Sequence, residues 1–100
     1  MEFKISGRHV EITQPIHAYA QKKTERVHRH FDRVQEVSVV IDKHDREYDV
    51  EVIVDVEHHE PFIAHHREGD LYACLDQAVD KLERQLTDHK EKLRNRKHIA

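Results

Sequence analysis

The sequence has a single cysteine, two glycines, two prolines and no tryptophan among its 100 residues. Cys74 has no partner for an internal disulfide, which fits the reducing cytosol and a cytoplasmic location. So few glycines and prolines leave little room for long loops. No run approaches the roughly 18 consecutive apolar residues of a membrane span, and the N-terminus lacks the basic and apolar regions of a secretory signal. Length and composition therefore predict one domain that has no membrane partner.

Net charge is also small, because 17 Lys and Arg face 20 Asp and Glu and leave a formal charge of −3. Taken alone, this value argues against a polyanionic partner such as nucleic acid. The distribution is uneven, however. Residues 36–60 hold two basic and nine acidic groups, whereas residues 1–35 hold seven and four, and residues 71–100 hold seven and five. One acidic stretch therefore conceals a mildly basic remainder.

Strand patterns occur in four short segments, residues 2–7, 34–42, 48–57 and 62–67. The third segment is the clearest, because apolar side chains at every second position from Tyr48 to Val56 alternate with mainly acidic ones. Successive side chains of a strand point to opposite faces of its sheet. The pattern therefore predicts a sheet with one packed face and one wet, acidic face, which is typical of antiparallel sheets.

Two segments have helical periodicity. Thr13 is a good N-cap and Pro15 suits the first turn of a helix predicted over residues 14–31, and Asp70 caps a second helix predicted over residues 71–97. The second helix would be about 40 Å long, longer than such a sheet, so we expect its last turns to overhang the sheet. The predicted fold is α+β in the order β-α-β-β-β-α, a four-stranded mainly antiparallel sheet with two helices packed on one face.

A helical wheel places basic side chains on one flank of each predicted helix. In the first helix these are Lys22, Lys23, Arg26 and Arg29. In the second they are Lys81, Arg84, Lys92 and Arg96, with most acids on the opposite flank and Asp88 as the exception. Two such helices on one sheet face could form a continuous cationic surface suited to backbone phosphates. An ordinary solvated face explains the same pattern, and the wheels leave both interpretations open.

Eleven histidines raise the question of a metal site, but their spacing does not favour one. The adjacent pairs at 58–59 and 65–66 lie in or beside strands, where neighbours point to opposite faces, and no two histidines lie four residues apart on a helix. A nucleophile elbow, a glycine-rich phosphate loop and a Cys-x-x-Cys motif are all absent. We therefore predict no metal, no cofactor, no catalytic residue, no small-molecule substrate and no enzymatic activity.

Three motifs follow one another along the chain, SGRHVEIT at residues 6–13, HFDRV at 30–34 and GDLYA at 69–73. The last motif continues as LD, DKL, RQL and HK through residue 90. Together they resemble the ribosome hibernation promoting factor family, whose members are also called ribosome-associated inhibitors, ribosomal subunit interface proteins or sigma-54 modulation proteins. The resemblance covers nearly all of the chain, and the last motif is its most specific part.

The resemblance implies a fold like that of double-stranded RNA-binding domains. It also implies binding to the small ribosomal subunit near its decoding region, where mRNA and tRNA sites are blocked and translation is silenced in stress or stationary phase. The implied rRNA contacts are Lys22, Lys23, Arg26, Arg29, Lys81, Arg84, Lys90 and Lys92. We expect phosphate contacts to dominate. Asp88 stands where the family often has a basic residue, and the histidine-rich segment 58–66 is unusual for it.

The chain ends at residue 100, which resembles the short members of the family. We expect residues 1–97 to form a single ribosome-binding domain, residues 98–100 to be a short disordered tail, and the C-terminal domain of long members to be absent. A short member acts either with a second ribosome-dimerising factor or by inhibition alone, and we expect a monomer when it is free. A different interpretation is a protein-binding regulator that acts through the acidic sheet face.

Overall fold

The computed structural model of the chain describes residues 2–99, with side chains described for residues 2–92. The elements are β1 (Glu2–Arg8), α1 (Gln14–His30), β2 (Val34–His44), β3 (Glu47–Val56), β4 (Phe62–Glu68) and α2 (Leu71–Ile99). Their order is the predicted one, and every boundary lies within two residues of its predicted position. The α+β class and the element order are therefore confirmed.

The four strands form one sheet in the order β1-β2-β3-β4. β1 is parallel to β2, because α1 crosses over between them. The β2–β3 and β3–β4 pairs are antiparallel hairpins, so the sheet is mixed and mainly antiparallel. The first hairpin closes over Asp45 and Arg46, and Asp45 has a φ of 53°, a left-handed conformation that aspartate tolerates better than most residues.

The core lies between the sheet and the two helices, as predicted. The sheet contributes the in-phase side chains of its central strands, among them Val37, Val39, Ile41, Val50, Val52 and Val54. The helices contribute Ile16, Ala20, Val27, Leu71, Cys74, Leu75, Ala78, Val79, Leu82 and Leu86. Cys74 is therefore a packing residue, and burial raises the pKa of its thiol.

Both helices begin where the capping residues predict. The Thr13 hydroxyl accepts a hydrogen bond from the backbone N–H of Ile16. The Asp70 carboxylate accepts one from the backbone N–H of Tyr72, over 3.0 Å. Each cap satisfies a backbone donor of the first turn that has no partner within the helix.

The second helix continues to Ile99, two residues beyond its predicted end. No glycine or proline follows Asp70 to interrupt it, so residues 98 and 99 of the expected tail are helical, and Ala100 lies outside the described residues. Leu86 is the last buried side chain among those described in α2, which agrees with the expected overhang. No helix within residues 2–99 is both long and apolar enough to cross a membrane.

Candidate nucleic-acid interface

The two helices run parallel over the same face of the sheet. Tyr19 of α1 contacts Asp76 of α2, and Arg26 contacts Glu83, so both contacting pairs are 57 residues apart in sequence. Two parallel helices that lie side by side contact each other through opposite flanks, the left flank of one against the right flank of the other. The basic flank of α1 therefore meets the acidic flank of α2.

Two of the eight predicted rRNA contacts lie in this interhelical seam. Lys23 Nζ lies 3.5 Å from Asp76 Oδ1 and 3.8 Å from Asp80 Oδ1. Arg26 Nη2 lies 3.3 Å from Asp80 Oδ1 and also contacts Glu83. The hydrogen bond with Glu83 raises the pKa of Arg26. Lys23 and Arg26 thus already have carboxylate partners within the protein.

A continuous cationic surface across both helices, one of the two interpretations that the wheels left open, is therefore interrupted at the interhelical seam. The acids of α2 lie between the two basic flanks, since they face α1 while Lys81 faces β4 on the other side of α2. A wheel describes each helix alone and cannot show which flanks meet. The sequence does contain a signal for this contact. The basic flank of α1 and the acidic flank of α2 have opposite charges, and parallel packing brings these two flanks together.

Lys81 and Gln85 lie over the free edge of β4. Lys81 Nζ donates to the backbone carbonyl of His65 over 3.2 Å and lies 3.1 Å from His66 Nδ1. Gln85 Nε2 donates to the carbonyl of Ile63 over 2.9 Å. These bonds satisfy acceptors that an edge strand otherwise offers to another chain. Gln85 carries no charge and therefore gives no signal among the basic residues of the wheel, although it follows Lys81 by four residues on the same helical face.

We expect replacement of Lys81 and Gln85 by alanine to make the protein self-associate as its concentration rises, because β4 then presents unpaired carbonyls. Analytical ultracentrifugation measures this effect. The matched control is replacement of Gln77 and Lys92 by alanine, which removes the same residue types from exposed positions of α2. A double variant at 81 and 85 that stays as monomeric as the control would contradict the role of these side chains in edge protection.

The other five predicted contacts are exposed, and none has a carboxylate within 4.0 Å in the described part of the chain; they are Lys22, Arg29, Arg84, Lys90 and Lys92. Lys22, Arg29 and Arg84 lie on the sides of their helices opposite to the buried stripes. We call these three side chains the outer helical face. Lys90 lies 5.9 Å from the centre of the Phe31 ring, near the end of α1.

The outer helical face has the properties that phosphate binding requires. Its three cations project from two rigid helices, and they have no competing ion pair among the described residues. Each can neutralise one phosphate and release its counterions, and an arginine can bind a phosphate through two parallel hydrogen bonds. Asp88 is exposed one turn after Arg84, so it weakens the local positive potential.

The opposite face of the sheet carries acids and histidines. Asp42 of β2 is paired in register with Asp49 of β3. His9 Nδ1 and His44 Nε2 lie 3.0 and 3.2 Å from the Asp42 carboxylate, and His65 Nε2 lies 2.6 Å from Asp49. The hydrogen bond from His9 lowers the pKa of Asp42. Within the described residues, no group of three histidine, cysteine or acidic side chains has the geometry to hold a metal ion.

The seam between the helices also contains a hydrogen bond that can be titrated. Tyr19 donates to Asp76, and this bond raises the pKa of Tyr19 to about 12. This hydrogen bond stabilises the folded state fully below the unfolded-state tyrosine pKa of about 10, and its contribution to the free energy of unfolding is lost as the pH rises through the folded-state pKa. We expect tyrosinate absorbance to keep rising to about pH 12. Tyr19→Phe should remove the part of the absorbance rise that occurs at the highest pH, and Asp76→Asn should move that part to lower pH. A titration unchanged by both substitutions would contradict the hydrogen bond.

Comparison with known proteins shows the family of the chain. The sequence profile of the family described as sigma 54 modulation protein / S30EA ribosomal protein matches residues 3–94. The chain belongs to this family. Among curated proteins similar to this S30EA member is the ribosome hibernation promoting factor of Pseudomonas putida, 40% identical over 92 residues, which are 92% of this chain and 89% of that protein. The protein of the same name in Escherichia coli is 36% identical over 95 residues, 94% of this chain and 98% of that one.

Solved structures agree with this membership of the S30EA family. The N-terminal domain of Protein Y from Thermus thermophilus is 33% identical and superposes with a TM-score of 0.80, covering 89% of this chain and 99% of that one. A ribosomal subunit interface protein from Coxiella burnetii has a TM-score of 0.81 over 91% of this chain and 99% of its own, at 21% identity. The second likeness shows a shared fold.

Proposed function

We propose that this S30EA member binds the small ribosomal subunit near its decoding region, blocks the mRNA and tRNA sites and silences translation in stress or stationary phase. Its relatives carry the name ribosome hibernation promoting factor. The observation that carries the mechanism is the outer helical face, where Lys22, Arg29 and Arg84 are exposed and have no carboxylate partner among the described residues. The protein acts in the cytoplasm, where ribosomes are, and uses no catalytic step.

The eight residues expected to contact rRNA fall into two groups under this proposal. Lys22, Arg29, Arg84, Lys90 and Lys92 reach phosphates directly, because their ammonium and guanidinium groups are exposed. Lys23, Arg26 and Lys81 act first within the protein, where they join α1 to α2 and α2 to β4. Substitutions in the first group should therefore lower rRNA affinity without changing the packing of the helices, whereas substitutions in the second group change both.

Salt dependence tests the mechanism. If phosphate contacts dominate, the logarithm of the binding constant for small subunits should fall linearly with the logarithm of salt concentration, by about 0.7 to 0.9 for each phosphate neutralised. Five direct cations therefore predict a slope of roughly −4. Co-sedimentation with purified small subunits over a range of potassium concentrations gives this slope. Binding that does not change with salt would exclude the phosphate mechanism.

A second function is supported by the outer face of the sheet. Cross-strand register there places Glu36 beside Asp55 and Ile53 beside Ile63, and Ile63 is 51% exposed. Acids around an exposed aliphatic side chain fit a basic protein partner, as in a regulator of the sigma-factor modulation type. Neutralising Asp49, Glu51 and Asp55 with amides would weaken such a complex and leave binding to rRNA intact.

A further inference from the structure

The two edges of the sheet differ in how they are covered. At β4, Lys81 and Gln85 of α2 donate to backbone carbonyls of the strand. At β1, the opposite edge, the backbone pairs with β2 alone, and no other side chain or loop within residues 2–92 hydrogen-bonds to it. An edge strand with unpaired donors and acceptors is a template for pairing with a further strand. β1 is therefore the open edge of the sheet.

The core side of β1 is only partly covered. Phe3 packs edge-on against the His17 ring of α1, with ring centres 5.5 Å apart. Phe3 and Ile5 both pack against the core, yet they remain half-buried, because β1 is the last strand on that side of the sheet. A further strand at this edge would complete their burial, and removal of apolar surface from water favours such pairing.

The outer side of β1 carries one charge without a partner near each end of the strand. Glu2, Lys4 and Arg8 are exposed there. Lys4 Nζ already lies 2.8 Å from Glu36 Oε1. Glu2 and Arg8 have no oppositely charged side chain within 4.0 Å among residues 2–92. The strand therefore begins with an unpaired acid and ends with an unpaired base.

These two charges are complementary when two copies of β1 pair antiparallel. Residues that oppose each other across such a pair point to the same face of the sheet. A two-fold axis at Ile5 places Glu2 opposite the partner's Arg8, and Ile5 opposite the partner's Ile5. An axis at Lys4 opposes the two Lys4 side chains, and an axis at Ser6 opposes Lys4 to the partner's Arg8, so both put like charges together. Among the registers that pair most of the strand, the axis at Ile5 is therefore the favourable one.

We propose that β1 is a dimer interface, in which two copies of this chain pair antiparallel around a two-fold axis at Ile5. An isologous contact of this kind closes on itself and forms a dimer rather than a fibre. Seven residues a side are fewer than the roughly 20–30 of a stable interface, so the dimer is weak and the free chain is a monomer at low concentration. The inference goes beyond the proposed function, because β1 contributes no side chain to the outer helical face.

Sedimentation equilibrium of the full chain from micromolar to millimolar concentration tests the dimer. Glu2→Arg gives a strand with cations at both ends, and Arg8→Glu gives a strand with acids at both ends. We expect each substitution to raise the dimer dissociation constant about tenfold or more, because two attractive contacts become repulsive. An equal mixture of the two variants should associate again, since every cation then meets an acid.

The control mixture combines Glu60→Arg with Arg46→Glu, which make the same changes of charge at exposed positions in the two hairpin turns. Each control variant should keep a dissociation constant close to that of the wild type. Wild-type protein that stays monomeric at millimolar concentration would overturn the proposal. A dimer that both β1 substitutions leave unchanged would overturn it too, because it would use another surface, as would a mixture that associates no better than its two components.

Discussion

Replacement of Lys22, Arg29 and Arg84 by glutamate should weaken binding to the small ribosomal subunit by roughly a hundredfold or more. Each substitution removes one phosphate contact and adds a repulsive charge where that phosphate would lie. The three side chains have no ion pair among residues 2–92, so their reversal leaves the internal contacts of the fold in place. Co-sedimentation with purified small subunits at low salt measures the loss.

The matched control reverses Arg8, Lys43 and Arg46, which are also exposed but lie in or beside β1 and the β2–β3 hairpin. It changes the net charge by the same amount as the reversal on the helices. If the two triple variants bind equally weakly, net charge governs the interaction and the outer helical face has no special part. If the control binds normally, position on the helices is decisive.

Leu82→Ala should lower the free energy of unfolding by about 2–5 kcal/mol. The Leu82 side chain is fully buried, and its truncation leaves a cavity between α2 and the sheet. Stability in a domain of this size is only about 5–15 kcal/mol, so the loss is a large fraction of the total. Urea denaturation followed by circular dichroism gives the value.

Ile63→Ala is the matched control for this substitution, since Ile63 is an aliphatic residue of the same volume and is 51% exposed. Ile63→Ala should lower the free energy of unfolding much less than Leu82→Ala, because about half of the Ile63 surface is already in water. Equal losses at the two positions would contradict the placement of the core on the helical side of the sheet.

The sequence contains enough information to predict this fold almost completely. Alternation from Tyr48 to Val56 and the caps at Thr13 and Asp70 depend on local chemistry, so they are visible without a partner. The end of α2 is harder to predict from the sequence. It extends to Ile99 because lysine, arginine and leucine favour helix and no breaker follows.

The candidate interface is less predictable because it depends on how two helices are placed side by side. A wheel finds both the basic flank of α1 and the acidic flank of α2, but only the parallel packing shows that they meet. Lys23 and Arg26 therefore face Asp80 and Glu83 rather than solvent alone.

Directed hydroxyl-radical cleavage tests most directly whether the outer helical face meets rRNA. An iron chelate attached to Ala18→Cys or Gln77→Cys would stand on the exposed sides of α1 and α2, and one attached to Ser38→Cys would stand on the opposite side of the sheet. The native Cys74 is buried and should not react with the reagent. We predict strand cuts in decoding-region rRNA from the two helical positions and few from position 38. Cuts mainly from position 38 would contradict the proposed orientation.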